Sequence, residues 1–198
     1  MPKSTVIAAI CNQIAMCTQC RNHMGINNTV PGTGNPNAKI MVIGEAPGAD
    51  EDSAGLPFVG DAGKNLHGIL EESGLNREND LYITNIVKCR PTKQGKKGLT
   101  NRAPGKREAQ ACRHFLLQQI DTVEPDVIVC IGRIAAQMLL ETTTTLEKLM
   151  STPQFFNGVL VMPTYHTSDI CLNLDSSRRG KILSTFREVK ERYFTQRR

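Results

Sequence analysis

The sequence predicts an α/β fold in which helices cover both faces of a central, mainly parallel sheet. Four apolar runs with the features of buried strands alternate with segments that have the features of helices. Several runs are apolar on consecutive residues, which is typical of parallel strands buried on both faces. A chain of 198 residues is long enough for one full core and too short for two. We therefore predict a three-layer α/β/α fold around a four-stranded sheet, with residues 1–198 forming a single domain.

The strands are identified by short apolar runs bounded by polar or turn-forming residues. They are predicted at residues 40–44, 81–87, 126–131 and 159–162. Cys130 lies inside the third run, where we expect a buried structural thiol.

The helices fill the intervals between the strands. They are predicted at residues 4–16, 62–73, 106–123, 134–140 and 177–194. Gly74 follows the second helix, as glycine commonly does at a helix end. Residues 90–104 are predicted to form a basic loop before the third helix.

Composition excludes some classes of protein and leaves others open. Hydrophobic residues make up 39% and charged residues 22% of the chain, which is ordinary for a globular domain. No apolar run reaches the length of a membrane span and the N-terminus lacks the features of a signal peptide, so we expect a cytoplasmic protein. The net charge of +5 is concentrated in residues 88–107 and 178–181. Such clusters suit nucleic acid, although a solvated charged face would give the same pattern.

Polar side chains follow the ends of four separate strands. These groups are an acid (Glu45), an amide (Asn85), a cation (Arg133) and an imidazole (His166). Because ligands of parallel sheets bind beyond the carboxyl ends of the strands, we expect these groups to share one site. The glycine-rich loop 44–63 fits a small planar ligand, since glycine lets the backbone approach closely. Each feature alone could be structural, but packing explains their convergence poorly.

Two other functions are compatible with parts of the sequence. A Rossmann-like nucleotide enzyme fits the alternation of strands and helices, but the expected G-x-G-x-x-G after the first strand is absent. A non-catalytic, metal-stabilised nucleic-acid-binding module would use the basic loop and the cysteines. That function would leave Glu45, Asn85 and His166 without a role.

The motifs taken together resemble those of family 4 uracil-DNA glycosylases, the iron–sulfur branch of the uracil-DNA glycosylase superfamily. The resemblance extends from about Cys17 to Leu172 and keeps the order of the family's motifs. The matching stretches are residues 44–48, 51–52, 55–63, 84–91, 101–104, 131–136 and 165–166, with Cys17, Cys20 and Cys112. The resemblance implies a uracil-DNA glycosylase-like fold. It also implies a repair enzyme that flips uracil out of DNA, hydrolyses its N-glycosidic bond and leaves an abasic site.

The resemblance assigns catalytic roles to Glu45 and His166. His166 matches the imidazole that donates to uracil O2 as negative charge develops there, and one preorganised donor can be worth about 10²–10³ in rate. Glu45 matches the acid that orients or activates water against the sugar carbon.

Four further residues are expected to bind the base. Phe58 matches the residue on which uracil stacks, and Asn85 matches the amide that reads uracil O4 and N3–H. Glu51 lies where the family sets a side chain against uracil C5 to exclude thymine, and Ala46 is expected to line the same pocket.

The resemblance also implies a cofactor. Cys17, Cys20, Cys89 and Cys112 would hold a [4Fe–4S] cluster through thiolates. A structural zinc site uses the same ligands, and sequence alone does not separate the two. The expected role is structural, holding the N-terminal arm and the basic loop beside the DNA.

Uracil-containing DNA is the expected partner of a monomeric enzyme. The residues expected to contact DNA are Lys88, Arg90, Arg102 and Ser168. The chain departs from the family at residues 167–169, a loop that normally wedges the gap left by the flipped base. It also carries an insert around residues 93–100. A related branch captures DNA covalently through a histidine, and Asn101 stands in its place, so we expect hydrolytic turnover and no covalent capture.

Overall fold

The computed structural model describes residues 1–20, 25–96 and 98–195. Lys97 of the predicted basic loop therefore lies outside the described residues. In those ranges no helix is both long enough and apolar enough to cross a lipid bilayer.

The centre of the fold is a mixed, mostly parallel sheet. Its strands and those of a separate hairpin are β1 (Thr33–Gly34), β2 (Ile40–Gly44), β3 (Leu81–Asn85), β4 (Thr92–Gly95), β5 (Gly98–Asn101), β6 (Val127–Ile131), β7 (Gln154–Phe156) and β8 (Val159–Thr164). The six-stranded sheet has the order β1-β3-β2-β6-β8-β7, and β4 pairs with β5. The four predicted strands are the parallel neighbours β3, β2, β6 and β8.

The predicted strand number was wrong, because two short antiparallel strands close the sheet edges. β1 and β7 contain only two and three residues, so neither gives a periodic pattern that sequence reasoning could detect. The predicted basic loop was also wrong in part. Residues 92–95 and 98–101 pair as the antiparallel strands β4 and β5, which are mostly exposed.

Helices flank the sheet on both faces. They are α1 (Lys3–Ala15), α2 (Ala49–Ala54), α3 (Asp61–Ser73), α4 (Lys106–Val123), α5 (Arg133–Leu139), α6 (Leu146–Met150), α7 (Asp169–Leu174) and α8 (Ser177–Lys190). A π-helical turn, Glu191–Thr195, replaces the end of the predicted last helix. The short helices α2, α6 and α7 were not predicted.

Alternation along β2 shows how the two cores are built. Met41 and Ile43 pack in one cluster with α1, α4 and α5, whereas Ile40 and Val42 pack in the other with α3 and α8. All four side chains are fully buried, and each such burial contributes about 1.5–3 kcal/mol. The strand ends that carry the expected site residues therefore rest on a sheet packed from both sides.

Candidate active site

A pocket of about 530 Å³ opens at the carboxyl edge of the parallel strands. Its lining includes the expected site residues Glu45, Ala46, Glu51, Phe58, Asn85, Arg102 and His166. Three different strand ends and two loops thus contribute to one cavity, as the topology of a parallel sheet predicts. Asn101, at the end of the hairpin, lines the same pocket.

Asn85 and Phe58 meet over Gly44, the last residue of β2. A Cβ on Gly44 would collide with Asn85 Oδ1 and would lie 2.6 Å from Phe58 Cζ. Glycine at this position therefore lets the amide and the aromatic ring approach the same side of the pocket. Asn85 is 2% exposed and Phe58 is 6% exposed, so both are held by packing before any ligand enters.

Phe58 has an unusual backbone, with φ of 53°. A non-glycine residue in this left-handed region costs about 1–3 kcal/mol unless its surroundings enforce it. Two charged side chains do so. Arg77 donates through its guanidinium to the carbonyls of Pro57 and Phe58, the latter at 2.9 Å. The carboxylate of Glu51 accepts from the backbone N–H groups that follow Phe58.

Glu51 is a loop-holding residue in this structure. Its Oε1 accepts from Val59 N and Gly60 N, each at 2.9 Å, and its Oε2 accepts from Gly48 N at 2.9 Å. These bonds join both ends of the glycine-rich loop through one carboxylate. Glu51 still lines the pocket, so its expected place against uracil C5 stays a prediction.

His166 is fixed as a hydrogen-bond donor by the backbone that follows it. Ser168 N donates to His166 Nδ1 at 3.0 Å, so a neutral ring must carry its proton on Nε2. Burial lowers the pKa of His166 and favours this neutral form. Gly132, with φ of 93°, leaves room for the ring, since a Cβ there would lie 3.2 Å from His166 Cδ2.

Glu45 faces two opposing influences. Burial raises the pKa of its carboxyl group, and the positive charge of Arg133 opposes this rise. A carboxyl group with a raised pKa in a pocket is a candidate for proton transfer. Arg133, the first residue of α5, is therefore close enough to interact with Glu45, as predicted for two residues at the carboxyl edge of the sheet.

The prediction that Lys88 contacts DNA is wrong. Its side chain is 1% exposed, and its ammonium donates to Thr84 Oγ1, Asn85 O and Gln119 Oε1, each at 2.7 Å. Burial lowers the pKa of Lys88 to about 7. An ammonium enclosed in this way cannot reach a phosphate, and instead it supports the strand end that carries Asn85.

The other expected DNA contacts have structural bonds as well. Arg102 pairs with both carboxylate oxygens of Glu108 and donates to Thr92 O at 2.9 Å, which holds the base of the hairpin. Arg90, half-buried, donates from Nε to Asn101 Oδ1 at 2.7 Å. Ser168 donates from its backbone N–H to His166. Contacts of Arg90, Arg102 and Ser168 with DNA stay predictions.

The four expected cysteine ligands converge without closing on a single ion. Burial is the main cause that raises the pKa of Cys89 to about 12, and negative charge on Cys112, Cys20 and Cys17 adds to the rise. These thiols therefore lie close enough to repel one another when ionised. Within residues 1–20, 25–96 and 98–195, no three Cys, His, Asp or Glu side chains are placed to hold a metal ion. The donor set suits a thiolate-ligated group.

Comparison with known proteins gives the family. The family model described as the uracil DNA glycosylase superfamily matches residues 31–190. A type-4 uracil-DNA glycosylase of Thermotoga maritima is 37% identical over 190 residues, which cover 95% of each chain. This chain belongs to the type-4 uracil-DNA glycosylases. A second type-4 member, from Archaeoglobus fulgidus, is 41% identical over 190 residues that cover 92% of this chain and 90% of the relative.

The fold of this type-4 family member also agrees with a solved structure. A solution NMR structure from Methanosarcina acetivorans, of a protein assigned to the uracil DNA glycosylases, has a TM-score of 0.53 and covers 83% of this chain and 99% of its own. At 12% identity this likeness concerns the fold alone. It agrees with the α/β architecture of the sheet and its flanking helices.

Sequence reasoning missed two residues that shape the site of this glycosylase. Arg77 fixes the backbone of Phe58, but it lies after helix α3 and outside every matched motif. Thr167 is fully buried, and its hydroxyl donates to Ala62 O at 2.8 Å. A lone arginine or threonine gives no pattern in the sequence, so only the fold could reveal either role.

Proposed function

We propose that this protein flips uracil out of DNA into the pocket at the sheet edge and hydrolyses its N-glycosidic bond, leaving an abasic site. Membership of the type-4 uracil-DNA glycosylases gives the activity. The hydrogen bond from Ser168 N to His166 Nδ1 is the observation that carries the mechanism. It leaves Nε2–H as the only ring donor of a neutral imidazole that lines the pocket.

Recognition begins with the two groups that meet over Gly44. The face of Phe58 would stack on the extruded base, which returns roughly 1–3 kcal/mol of the cost of unstacking. The amide of Asn85 has both a donor and an acceptor, complementary to uracil O4 and N3–H. Cytosine presents the opposite pattern at these positions and would leave the buried amide unpaired.

Thymine would be excluded by the shape of the loop. Glu51 and Arg77 fix the backbone on either side of Phe58, so the loop has little freedom to move away from a 5-methyl group. A filter based on one methyl group is worth only about 1–3 kcal/mol. Rigidity of the loop would therefore decide how much of that discrimination is realised.

Bond cleavage would depend on His166 and Glu45. As the glycosidic bond breaks, negative charge develops on uracil O2, where a neutral Nε2–H strengthens its hydrogen bond without first losing a proton. The Glu45 carboxylate would orient water and stabilise positive charge on the sugar. Asn101 offers no nucleophile comparable to an imidazole, because the lone pair of its amide nitrogen is delocalised into the carbonyl, and Arg90 donates to its Oδ1. Water is therefore the expected acceptor of the sugar, and the enzyme should turn over.

A [4Fe–4S] cluster on Cys17, Cys20, Cys89 and Cys112 is what the family resemblance implies, and these four residues supply the thiolates that such a cluster requires. Negative charge on Cys17, Cys20 and Cys112 would raise the pKa of Cys89, so the four thiols lie near one another, which supports a shared metal group. The cluster, when bound, would supply a cross-link among the N-terminal arm, the residues after β3 and helix α4.

Release of uracil tests this function directly. Cluster-loaded protein should release free uracil from a labelled uracil oligonucleotide and leave an alkali-sensitive abasic site. A denaturing gel should show no protein–DNA adduct. Intact glycosidic bonds at excess enzyme would contradict the proposal, and a heat-stable adduct that disappears in Asn101→Ala would contradict hydrolytic turnover.

A further inference from the structure

We propose that Thr167 and Asn65 are positioning residues that anchor the catalytic His166 to helix α3, the helix that also supports Phe58. The proposal rests on the proposed uracil excision, to which it adds the residues that set the place of the hydrogen-bond donor. Thr167 lies in the stretch 167–169, where the chain departs from the motif of its family. Its role is therefore a feature of this chain and not of the family motif.

The ring of His166 needs an anchor outside its own loop. Strand β8 ends at Thr164, so sheet pairing does not hold the residues that follow it. The bond from Ser168 N to His166 Nδ1 selects the tautomer, but it joins two residues of one loop and would move with that loop. Whatever sets the distance from His166 Nε2 to a base in the pocket must therefore connect the loop to the rest of the protein.

Helix α3 makes that connection through two hydrogen bonds to Thr167. The Thr167 hydroxyl donates to Ala62 O at 2.8 Å, and Asn65 Nδ2 donates to Thr167 O at 3.0 Å. Because Ala62 and Asn65 are three residues apart, they lie on the same face of the helix. Thr167 is fully buried. It is thus held at both its side chain and its main chain, directly beside His166.

Helix α3 also supports the residue on which the base would stack. A Cβ on Gly63 would collide with the carbonyl group of Phe58, so the backbone of Phe58 lies directly against the first turn of α3. Leu66 and Ile69 are fully buried and pack in the same core as Phe58. One packed helix thus fixes both the stacking ring and the donor. A misplacement of about 1 Å between such groups can cost about 10² in rate.

Removing the Thr167 hydroxyl while keeping the shape of the side chain tests the anchor. Thr167→Val should lower the single-turnover rate on uracil DNA roughly tenfold, because His166 is then free to leave the position in which it meets uracil O2. DNA affinity, measured by fluorescence anisotropy, should stay within about twofold. Thr167→Ser keeps the hydroxyl and should retain most of the rate. Asn65→Leu should cause a similar loss, and the double variant should lose less than the product of the two, because both bonds hold one residue.

Nuclear magnetic resonance of His166 gives a readout that a general loss of stability would not move. Burial lowers the pKa of His166, so a loosened ring in the folded Thr167→Val protein should titrate nearer to the pKa of an exposed histidine. Thr167→Ser should titrate like the unaltered protein. This measurement needs no uracil DNA. If the unaltered protein releases no uracil, the proposed function fails, and the titration still decides whether Thr167 anchors His166.

Thr164→Val is the matched control. Thr164, the last residue of β8, is also fully buried, but its hydroxyl has no hydrogen-bond partner in the part of the chain that the structure describes. Thr164→Val should therefore change neither the rate nor the pKa of His166. Equal losses in Thr164→Val and Thr167→Val, or in Thr167→Ser and Thr167→Val, would overturn the proposal. So would a folded Thr167→Val protein in which both the rate and the pKa of His166 are unchanged.

Discussion

Replacing Arg77 by methionine should reduce uracil excision in a protein that stays folded. Arg77 donates to the carbonyls of Pro57 and Phe58, and so it enforces the left-handed backbone of Phe58. Hydrogen bonds from charged donors contribute about 1.5–3 kcal/mol each when buried, and less here because the side chain is only half-buried. A net loss of about 2 kcal/mol from the enforced loop conformation would lower its population roughly 30-fold.

The assay for this prediction separates loop conformation from fold. We expect kcat/KM on uracil DNA to fall roughly 30-fold, while the free energy of unfolding falls by about 1–2 kcal/mol. Arg77→Lys should recover part of the activity, because an ammonium can reach one of the two carbonyls. Discrimination against thymine should also weaken, since the loop is then free to move. Unchanged kcat/KM in a folded Arg77→Met protein would refute the argument that this clamp positions Phe58.

Four further outcomes are expected. His166→Ala should lower kcat by about 10²–10³ with little change in DNA affinity, measured by single-turnover kinetics and fluorescence anisotropy. Burial raises the pKa of Glu45, and activity should be lost as the pH falls through that pKa. The pKa read from the acid limb of the pH–rate profile should therefore be higher than that of an ordinary glutamate. Glu45→Gln should abolish this limb. Cys112→Ser should lose iron by elemental analysis, whereas Cys130→Ser, which removes a buried thiol of β6, should keep it. Lys88→Met should lower unfolding stability by about 1–3 kcal/mol and leave the salt dependence of DNA binding unchanged, because the ammonium is enclosed.

The central fold and the pocket could be predicted because they depend on strong local patterns. The four parallel strands are apolar on nearly every residue, and polar groups follow their ends, so topology alone brings Glu45, Asn85 and His166 together. The edge strands could not be predicted, because a strand of two or three residues is too short to show a periodic pattern of apolar residues. Their pairing depends on neighbours distant in sequence.

Individual side-chain roles were harder to predict than the location of the site. Lys88 belongs to a basic stretch of the kind that often contacts DNA. Its side chain, however, is buried in the interior. Glu51 and Arg77 serve backbone groups rather than a ligand. Sequence gives the charge of a residue, whereas burial and hydrogen-bond partners decide its use. These depend on tertiary packing.

The protonation of His166 is the most direct test of the proposed mechanism. Nitrogen-15 NMR of the imidazole should show a neutral ring with the proton on Nε2 and an unprotonated Nδ1 at pH 7, since Nδ1 accepts from Ser168 N. Because burial lowers the pKa of His166, this form should persist below the pH at which an exposed histidine becomes charged. An imidazolium at pH 7, or a neutral ring protonated on Nδ1, would contradict the role of His166 as a preorganised neutral donor to uracil O2.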